Sequence, residues 1–152
     1  MKILMVCLGN ICRSPLAEGI MREKLRKYKL DGTVDSAGTA SYHIGESPDM
    51  RSIEVAKKYS IDISYQRARP FTTDDFDAFD LIFAMDLENY RNIMRLARSD
   101  KDRKKVELIL DRIQPGKGLE VPDPYYGGND GFENVFKLLD TSCEKIANDL
   151  KK

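Results

Sequence analysis

The sequence predicts an α/β fold, in which a four-stranded parallel sheet is doubly wound with helices on both faces in a flavodoxin-like strand order. Short apolar runs alternate along the chain with segments of helical periodicity, as in strand–helix repeats around a parallel sheet. The apolar runs are continuous, which is typical of strands buried on both faces. The length of 152 residues fits one domain over residues 1–152.

The first predicted strand is the apolar run 3–6, and a loop and a helix follow it. Ser14 and Pro15 predict the start of that helix, because serine favours the N-cap and proline favours the first turn. Apolar residues then recur at helical spacing, namely Leu16, Ala17, Ile20, Met21 and Leu25.

The middle of the chain predicts two more strands and two more helices. Residues 33–37 predict a short second strand, and Ser47 with Pro48 predicts the start of the second helix. The largely apolar segment 80–85, Asp-Leu-Ile-Phe-Ala-Met, predicts the third strand. The periodic segment 87–97 predicts a helix directly after it.

The last third of the chain predicts one strand and a long helix. Residues 98–105 are highly charged and predict a solvated turn. Residues 106–110 predict the fourth strand. Apolar residues with a period near 3.6 predict the final helix over 132–150.

Composition argues against several classes of protein. Lys and Arg together number 25, as do Asp and Glu, so no net field attracts the chain to nucleic acid or a membrane. The apolar run before Cys7 is too short for a signal-peptide core, and no segment approaches a membrane span. We therefore expect a cytoplasmic protein. Three cysteines and one histidine argue against a disulfide framework or a zinc site, and we expect neither a metal nor a cofactor.

Cys7 and Arg13 enclose the loop between the first strand and the first helix. Ligands of open parallel sheets bind beyond the carboxyl ends of the strands, where Cys7 lies. Gly9 and Asn10 tolerate unusual backbone angles, so the loop can curl with its N–H groups inward. These donors and the helix N-terminus form an anion site that favours the nucleophilic thiolate. The planar guanidinium of Arg13 can bind two oxygens of a phosphate.

The pattern therefore predicts phosphoryl transfer to the sulfur of Cys7. The alternative is that Cys7 is an inert buried thiol at the end of a strand. Cys143 lies on the apolar stripe of the last helix, which predicts core packing. Cys12 lies in the same loop as Cys7, and we expect it to trap an oxidised Cys7 as a reversible disulfide.

At these residues the chain resembles the low-molecular-weight protein tyrosine phosphatases. The stretch Val-Cys-Leu-Gly-Asn-Ile-Cys-Arg-Ser-Pro at residues 6–15 matches the signature of that family without a gap. Shorter motifs extend the resemblance over nearly the whole chain: Asp35-Ser36-Ala37-Gly38-Thr39, His43-Ile44-Gly45, Ser47-Pro48-Asp49, Ala68-Arg69, Ala84-Met85-Asp86 and Asp123-Pro124-Tyr125-Tyr126.

The resemblance implies that Cys7 is the nucleophile, Arg13 the phosphate clamp and Asp123 the general acid. The phosphate would be held by the loop residues Leu8, Gly9, Asn10, Ile11, Cys12 and Arg13. Cleavage of an aryl phosphate also requires a general acid, because the conjugate acid of the aryl-oxide leaving group has a pKa of about 10. Pro122 and Pro124 hold the backbone at Asp123 extended. The alternative for Asp123 is a simple turn residue.

Aromatic side chains are expected to form the walls of the substrate site. Tyr125 and Tyr126 follow the candidate acid, and aromatic faces at a pocket mouth favour a flat ring over a short serine chain. The alternative is that one or both pack the loop. The resemblance implies a second wall that is commonly tryptophan in the family, and the matching residue is Tyr42.

Three polar residues are expected to support the loop. Asn10 can adopt a left-handed turn and hydrogen-bond across the loop to Ser36. Ser14 can donate to the thiolate as well as cap the helix. Arg69 and Asp86 match family positions that brace the site, with a surface ion pair as the alternative.

Two further positions bear on pH dependence. Gln66 stands where the family often has a histidine, and a neutral amide cannot titrate. His43, the one histidine of the chain, is expected to be a loop residue rather than a catalyst.

The resemblance and these residues predict a metal-independent protein-tyrosine phosphatase that acts on phosphotyrosine proteins or peptides through a phosphocysteine intermediate. We expect a monomer that inorganic phosphate or vanadate inhibits.

Three alternatives stay open. An arsenate reductase of this fold needs thiols beyond Cys12 near the loop. A protein-arginine phosphatase carries a loop threonine where this chain has Ile11. A non-catalytic phosphate-binding module would not need Cys7, Arg13 and Asp123 together.

Overall fold

A computed structural model of the chain describes residues 1–125 and 129–151. Four parallel strands form its sheet: β1 (Lys2–Cys7), β2 (Thr33–Gly38), β3 (Leu81–Ala84) and β4 (Val106–Leu108). Their order across the sheet is β2, β1, β3, β4. This is the flavodoxin-like order, so the predicted sheet is confirmed.

Helices connect the strands within the described residues. They are α1 (Arg13–Lys27), α2 (Met50–Lys58), α3 (Asp74–Ala78), α4 (Leu87–Leu96), α5 (Asp100–Arg103) and α6 (Asn129–Leu150). A 3-10 turn, Ile109–Arg112, follows β4. None of these helices combines the length and the apolar character needed to cross a bilayer.

The side chains of β1 alternate between two apolar cores. Ile3 and Met5 belong to a core that includes residues of α1, α2 and α6. Leu4 and Val6 belong to a second core that includes residues of α3 and α4. Because successive residues of a strand point to opposite faces, the two cores lie on opposite sides of the sheet. Helices therefore cover both faces, as predicted.

The strand register brings candidate residues to one edge of the sheet. Cys7 at the end of β1 pairs with Gly38 of β2, and Val6 pairs with Ala84 of β3. The loops that leave these three strands therefore meet beyond their carboxyl ends, where open parallel sheets bind ligands.

The prediction that Ser14 caps α1 is wrong. The helix begins at Arg13, the N-cap position is held by Cys12, and no side chain caps the first turn. The hydroxyl of Ser14 instead contacts Cys7 and Asn10. The side chain is thus committed to the loop and cannot serve the helix N-terminus.

The prediction that α2 begins at Ser47 and Pro48 is also wrong. The helix begins at Met50, because Asp49 supplies the N-cap and accepts a hydrogen bond from the backbone N–H of Arg51 at 2.8 Å. Aspartate and serine are both favourable N-cap residues. Of the two candidates, Ser47 and Asp49, the helix uses Asp49.

The segment between residues 70 and 112 differs from the prediction in three places. The charged stretch 98–105 contains the short helix α5, capped by Ser99, which accepts from the N–H of Asp102 at 3.3 Å. The last strand ends at Leu108 because the chain tightens into the 3-10 turn. Helix α3 was not predicted, because its five residues are too few for a helical period to be visible in the sequence.

Candidate active site

A pocket of about 110 Å³ lies beyond the carboxyl end of β1. Three separate segments form it: the end of β1 with the phosphate loop (residues 8–13), residues 42–43, and residues 123–125. Its lining consists of Cys7, Leu8, Gly9, Ile11, Cys12, Arg13, Tyr42, His43, Asp123 and Tyr125. The fold therefore brings together the predicted nucleophile, clamp and acid.

The carbonyl groups of the phosphate loop accept hydrogen bonds from neighbouring segments. The carbonyl of Leu8 accepts from the N–H of Ala40 at 2.9 Å, and that of Ile11 accepts from Asp49 at 2.8 Å. In the part of the chain that the structure describes, the backbone N–H groups of residues 8–13 donate to no protein acceptor. These N–H groups are therefore available to donate hydrogen bonds to an anion.

Two backbone features allow the phosphate loop to curl. Asn10 has a φ of +57°, in the left-handed region that asparagine tolerates better than most residues. A Cβ at Gly38 would lie 2.8 Å from the Leu8 carbonyl oxygen and 3.2 Å from the Asn10 nitrogen. A side chain at position 38 would therefore displace the loop. Gly38 lies within a matching motif, but its neighbours in the sequence do not indicate this role.

Cys7 is buried at the pocket, with 2% of its surface exposed. Its Sγ lies 3.0 Å from the Oγ of Ser14. The side-chain amide of Asn10 donates to that same oxygen at 2.8 Å, which leaves the Ser14 proton for the sulfur. A hydroxyl donor and the N-terminus of α1 both favour a negative charge on Cys7.

The Asn10 side chain links three segments. Its Nδ2 donates to Ser36 on β2 at 3.0 Å as well as to Ser14 on α1. Its Oδ1 accepts from the backbone N–H of Arg69 at 3.0 Å. The expected contact with Ser36 is present, and all polar groups of the amide are used.

Arg13 is buried, and its guanidinium is held from two sides. Its Nη1 donates to Asp86 at 2.6 Å and to the carbonyl of Val121 at 3.0 Å, while its Nη2 lies 3.6 Å from Asp123. Burial lowers the pKa of Arg13, but the charges of Cys7, Asp86 and Asp123 outweigh it and raise the pKa above the ordinary value. The guanidinium of Arg13 is thus charged and held in place, and Asp86 pairs with this buried group rather than with a surface residue.

Arg69 contacts the phosphate loop through its backbone rather than its side chain. The guanidinium pairs with Asp35 and Asp75, each at 3.1 Å. Its backbone N–H donates to Asn10. The ion pairs therefore fix the segment whose N–H group orients the Asn10 amide.

Asp123 lies at the rim of the pocket, and its side chain is 36% exposed. Its Oδ1 accepts from the backbone N–H of Tyr125 at 3.0 Å. The segment is anchored below it, where the N–H of Val121 donates to the carbonyl of Met85 at 2.8 Å. The carboxyl group is therefore placed to exchange a proton with a group bound in the pocket.

Arg51 of α2 contacts the segment that carries Asp123, and it was not among the predicted site residues. Its Nη2 donates to the carbonyl of Tyr125 at 3.0 Å and also contacts Asp49 at 3.0 Å. Its guanidinium lies 4.5 Å from the ring centre of Phe132 on α6. No local sequence pattern indicates the contacts with Tyr125 and Phe132, because these partners lie far from Arg51 in the chain.

Aromatic rings line the mouth of the pocket. Tyr42 is 78% exposed, and the ring centre of His43 lies 6.5 Å from that of Tyr42 and 6.4 Å from that of Tyr125. The Nδ1 of His43 lies 2.8 Å from a carboxylate oxygen of Glu46. His43 is in a loop as expected, yet it also forms part of the wall. The predicted wall residue Tyr126 lies outside the described residues.

The remaining thiols differ in position. Cys12 lines the pocket together with Cys7, and burial, with the nearby charges of Asp49 and Cys7, raises the pKa of Cys12 to about 12. Cys143 is fully buried in α6, and burial raises its pKa as well. Its Sγ lies 3.8 Å from the carbonyl of Ala17, in keeping with core packing.

The buried Gln66 donates from Nε2 to the carbonyl of Pro15 at 3.1 Å, in the first turn of α1. It therefore stabilises the helix that carries Arg13. Across the described ranges, no three side chains of His, Cys, Asp or Glu are grouped so as to hold a metal ion.

Comparison with known proteins assigns a family to this site and fold. The family model described as low molecular weight phosphotyrosine protein phosphatase matches residues 2–152. A low molecular weight phosphotyrosine protein phosphatase from Schizosaccharomyces pombe is 46% identical over 145 residues, which cover 93% of this chain and 92% of that protein.

Solved structures agree with the sequence relatives. A protein tyrosine phosphatase from Entamoeba histolytica is similar with a TM-score of 0.93 and 40% identity, over 99% of this chain and 97% of that chain. The arginine phosphatase YwlE, of Bacillus subtilis, is similar with a TM-score of 0.90 and 26% identity, over 100% of this chain and 97% of that chain. That structure is of a mutant with a phosphorylated active-site serine. The chain described here belongs to the low molecular weight phosphotyrosine protein phosphatase family.

Proposed function

We propose that this protein hydrolyses phosphotyrosine in proteins or peptides through a phosphocysteine intermediate on Cys7. One observation carries the proposal: Cys7, Asp123 and five loop residues all line one pocket, the loop residues being Leu8, Gly9, Ile11, Cys12 and Arg13. A nucleophile, an anion cradle and a proton donor are the groups that phosphoryl transfer from an aryl oxygen requires.

In the first step the Cys7 thiolate attacks phosphorus in line with the tyrosine oxygen. The sulfur–phosphorus bond forms as the phosphorus–oxygen bond breaks, and the carboxyl proton of Asp123 passes to the leaving oxygen. The N–H groups of the loop and the guanidinium of Arg13 bind the three equatorial oxygens, where negative charge is concentrated.

In the second step water releases the phosphate. The Asp123 carboxylate takes a proton from the water, whose oxygen attacks phosphorus as the bond to sulfur breaks. Cys7 leaves as a thiolate, which the Ser14 hydroxyl stabilises from 3.0 Å. No metal or cofactor takes part in either step.

The pocket walls support an aryl substrate. The rings of Tyr42, His43 and Tyr125 line the mouth and offer flat contact surfaces. Ile11 lines the interior with an apolar side chain at the position where the resemblance places threonine in arginine phosphatases. An apolar wall solvates a phenyl ring better than a guanidinium.

The second candidate is protein-arginine phosphatase, because YwlE shares the fold over the whole chain. Arsenate reductase has less support, since Cys143 lies in the core and leaves Cys12 as the one further thiol in the described pocket lining. Rates with a phosphotyrosine peptide, a phosphoarginine peptide and arsenate discriminate these activities. We expect phosphotyrosine to be hydrolysed at least tenfold faster than phosphoarginine, and faster phosphoarginine hydrolysis would overturn the assignment.

Several properties accompany this proposal. Residues 1–152 act as one phosphatase domain and as a monomer, in the cytoplasm. Inorganic phosphate and vanadate inhibit competitively, since each offers the oxygens that the loop and Arg13 bind. The balanced charge, 25 basic and 25 acidic residues, provides no net field toward a nucleic acid or membrane partner.

Replacement of Asp123 with asparagine is expected to slow turnover of poor leaving groups by about 10²–10⁴-fold, because no proton reaches the aryl oxygen. The measurement is kcat for aryl phosphates of increasing leaving-group basicity, with phosphate inhibition as a check on binding. Asp130→Asn, an exposed acid at the start of α6, is the control. Equal dependence on the leaving group in the Asp123 variant and the control would refute the assigned role.

Peroxide is expected to convert Cys7 to a sulfenic acid that Cys12 captures as a disulfide with loss of water. Because the pKa of Cys12 is raised to about 12, the attacking thiolate is scarce at neutral pH and disulfide formation accelerates as pH rises. Mass spectrometry after a single dose of peroxide at several pH values measures the rate. After peroxide treatment, we expect a reductant to restore the activity of the native protein but not that of Cys12→Ser. Overoxidised Cys7 without a disulfide in the native protein would contradict this role.

A further inference from the structure

Glu18 is a buried acid that the proposed reaction does not use. It lies on α1 with 3% of its surface exposed and does not line the pocket. Its Oε1 accepts from the hydroxyl of Ser36 at 2.7 Å. Its Oε2 lies 3.1 Å from a guanidinium nitrogen of Arg22 and accepts from the hydroxyl of Tyr65 at 3.3 Å.

A continuous path of hydrogen bonds joins Glu18 to the sulfur of Cys7. Ser36 donates to Glu18, and the Nδ2 group of Asn10 donates to Ser36 at 3.0 Å. The same Nδ2 group donates to Ser14 at 2.8 Å, and Ser14 lies 3.0 Å from Cys7. The path is buried along its whole length.

The hydrogen bonds of the Asn10 amide favour one direction along this path. The Oδ1 of Asn10 accepts from the backbone N–H of Arg69, so both hydrogens of Nδ2 are donated to Ser36 and Ser14. Ser36 has a single hydroxyl proton and gives it to Glu18. The oxygen of Ser14 is an acceptor for Asn10, and its own proton is available to an anionic sulfur at Cys7, 3.0 Å away.

We propose that Glu18 is a positioning residue whose carboxylate orients this path, so that the Ser14 hydroxyl donates to Cys7 when the sulfur carries negative charge. A protonated Glu18 becomes a donor toward Ser36, whose own proton then lacks an acceptor. The polarisation of the path falls, and the hydrogen bond at the sulfur weakens. The inference rests on the proposed function, because it concerns the step in which Cys7 leaves as a thiolate.

The charge of Glu18 changes near neutral pH. Burial raises its pKa to about 7, against the lowering effects of the Ser36 hydrogen bond and of Arg22. The other charged or titratable groups that face it are Asp35 on β2, which raises the pKa, Arg69, which lowers it, and Tyr65. Glu18 is therefore protonated in acid and ionised in base, with the oriented path present on the alkaline side.

The test compares kcat for para-nitrophenyl phosphate in Glu18→Gln and the native protein across pH. Ionisation of the substrate and of Asp123 is common to both proteins and cancels in the ratio. We expect the variant to match the native enzyme below about pH 6 and to fall roughly tenfold below it above about pH 8. Glu23→Gln, an acid of the same helix that pairs with Arg26, is the control and should give a ratio near one throughout. A ratio for Glu18→Gln that does not vary with pH overturns the proposal.

A second variant guards against a loss of fold in Glu18→Gln. Arg22 is half-exposed and stabilises the Glu18 carboxylate, so Arg22→Gln should displace the pH midpoint of kcat to higher pH and keep the alkaline plateau. Arg26→Gln, on the exposed side of α1, should leave the midpoint in place. An unmoved midpoint in Arg22→Gln contradicts the role of the Glu18 charge.

A readout without turnover separates this inference from the proposed function. The ultraviolet absorbance of the Cys7 thiolate, taken as a difference from Cys7→Ser, reports the state of the sulfur directly. We expect this absorbance to be the same in Glu18→Gln and the native protein below about pH 6, and to differ between them above about pH 8, where Glu18 is ionised. An identical titration overturns the positioning role, even if the native protein hydrolyses phosphotyrosine. Absence of hydrolysis in the native protein overturns the proposed function instead.

Discussion

Replacement of Cys7 with serine is expected to abolish turnover of para-nitrophenyl phosphate, with a fall in kcat of about 10⁴-fold or more. A serine hydroxyl is not ionised at neutral pH, and the surroundings of Cys7 are built to stabilise an anion rather than to remove a proton. Those surroundings are the hydroxyl of Ser14, the N–H groups of residues 8–13 and the N-terminus of α1.

The control for this variant is Cys12→Ser, which removes a second thiol from the same pocket lining. It should retain most of the activity, because Cys12 is held as a neutral thiol and takes no part in phosphoryl transfer. Competitive binding of phosphate should survive in both variants, since the loop and Arg13 are unchanged. Turnover by Cys7→Ser within tenfold of the native rate would contradict the account.

Replacement of Arg13 with lysine is expected to reduce kcat by roughly 10²–10³-fold although the positive charge is kept. The nitrogens of the guanidinium lie in a fixed plane. One of them donates to Asp86 and to the carbonyl of Val121, and another lies 3.6 Å from Asp123. A lysine ammonium cannot hold these partners and also bind two phosphate oxygens. Asp86 also loses the 2.6 Å hydrogen bond from the Arg13 guanidinium.

Steady-state kinetics with para-nitrophenyl phosphate measure this loss in kcat and KM. Arg98→Lys is the matched control, because Arg98 forms similar ion pairs with Asp77 and Asp102 away from the pocket. The control should change neither constant by more than about twofold. If Arg13→Lys keeps kcat within threefold of the native value, the planar contacts are not required.

Local patterns predicted the sheet and the phosphate loop because each depends on neighbours in sequence. The apolar runs of β1 and β3, and the tolerance of Gly9 and Asn10 for unusual angles, are properties of adjacent residues. The assignment of Asp123 relied more on the family resemblance, since an aspartate between two prolines also suits an ordinary turn.

Residues that act between distant segments were not predictable in the same way. Gly38 is required because the phosphate loop passes close to it. Arg51 is important because it joins α2 to the segment that carries Asp123. His43 lines the pocket because its loop folds toward Tyr125. A burial-dependent property such as the raised pKa of Glu18 likewise follows from tertiary packing.

Acid quenching of the protein during turnover of a phosphotyrosine peptide, followed by mass spectrometry of the peptide that contains Cys7, tests the central mechanism most directly. A phosphoryl group is expected on the sulfur of Cys7 and not on Cys12, and it should disappear as phosphate is released. Turnover with no phosphoryl group on Cys7, or with one on another residue that forms and decays at the catalytic rate, would contradict it.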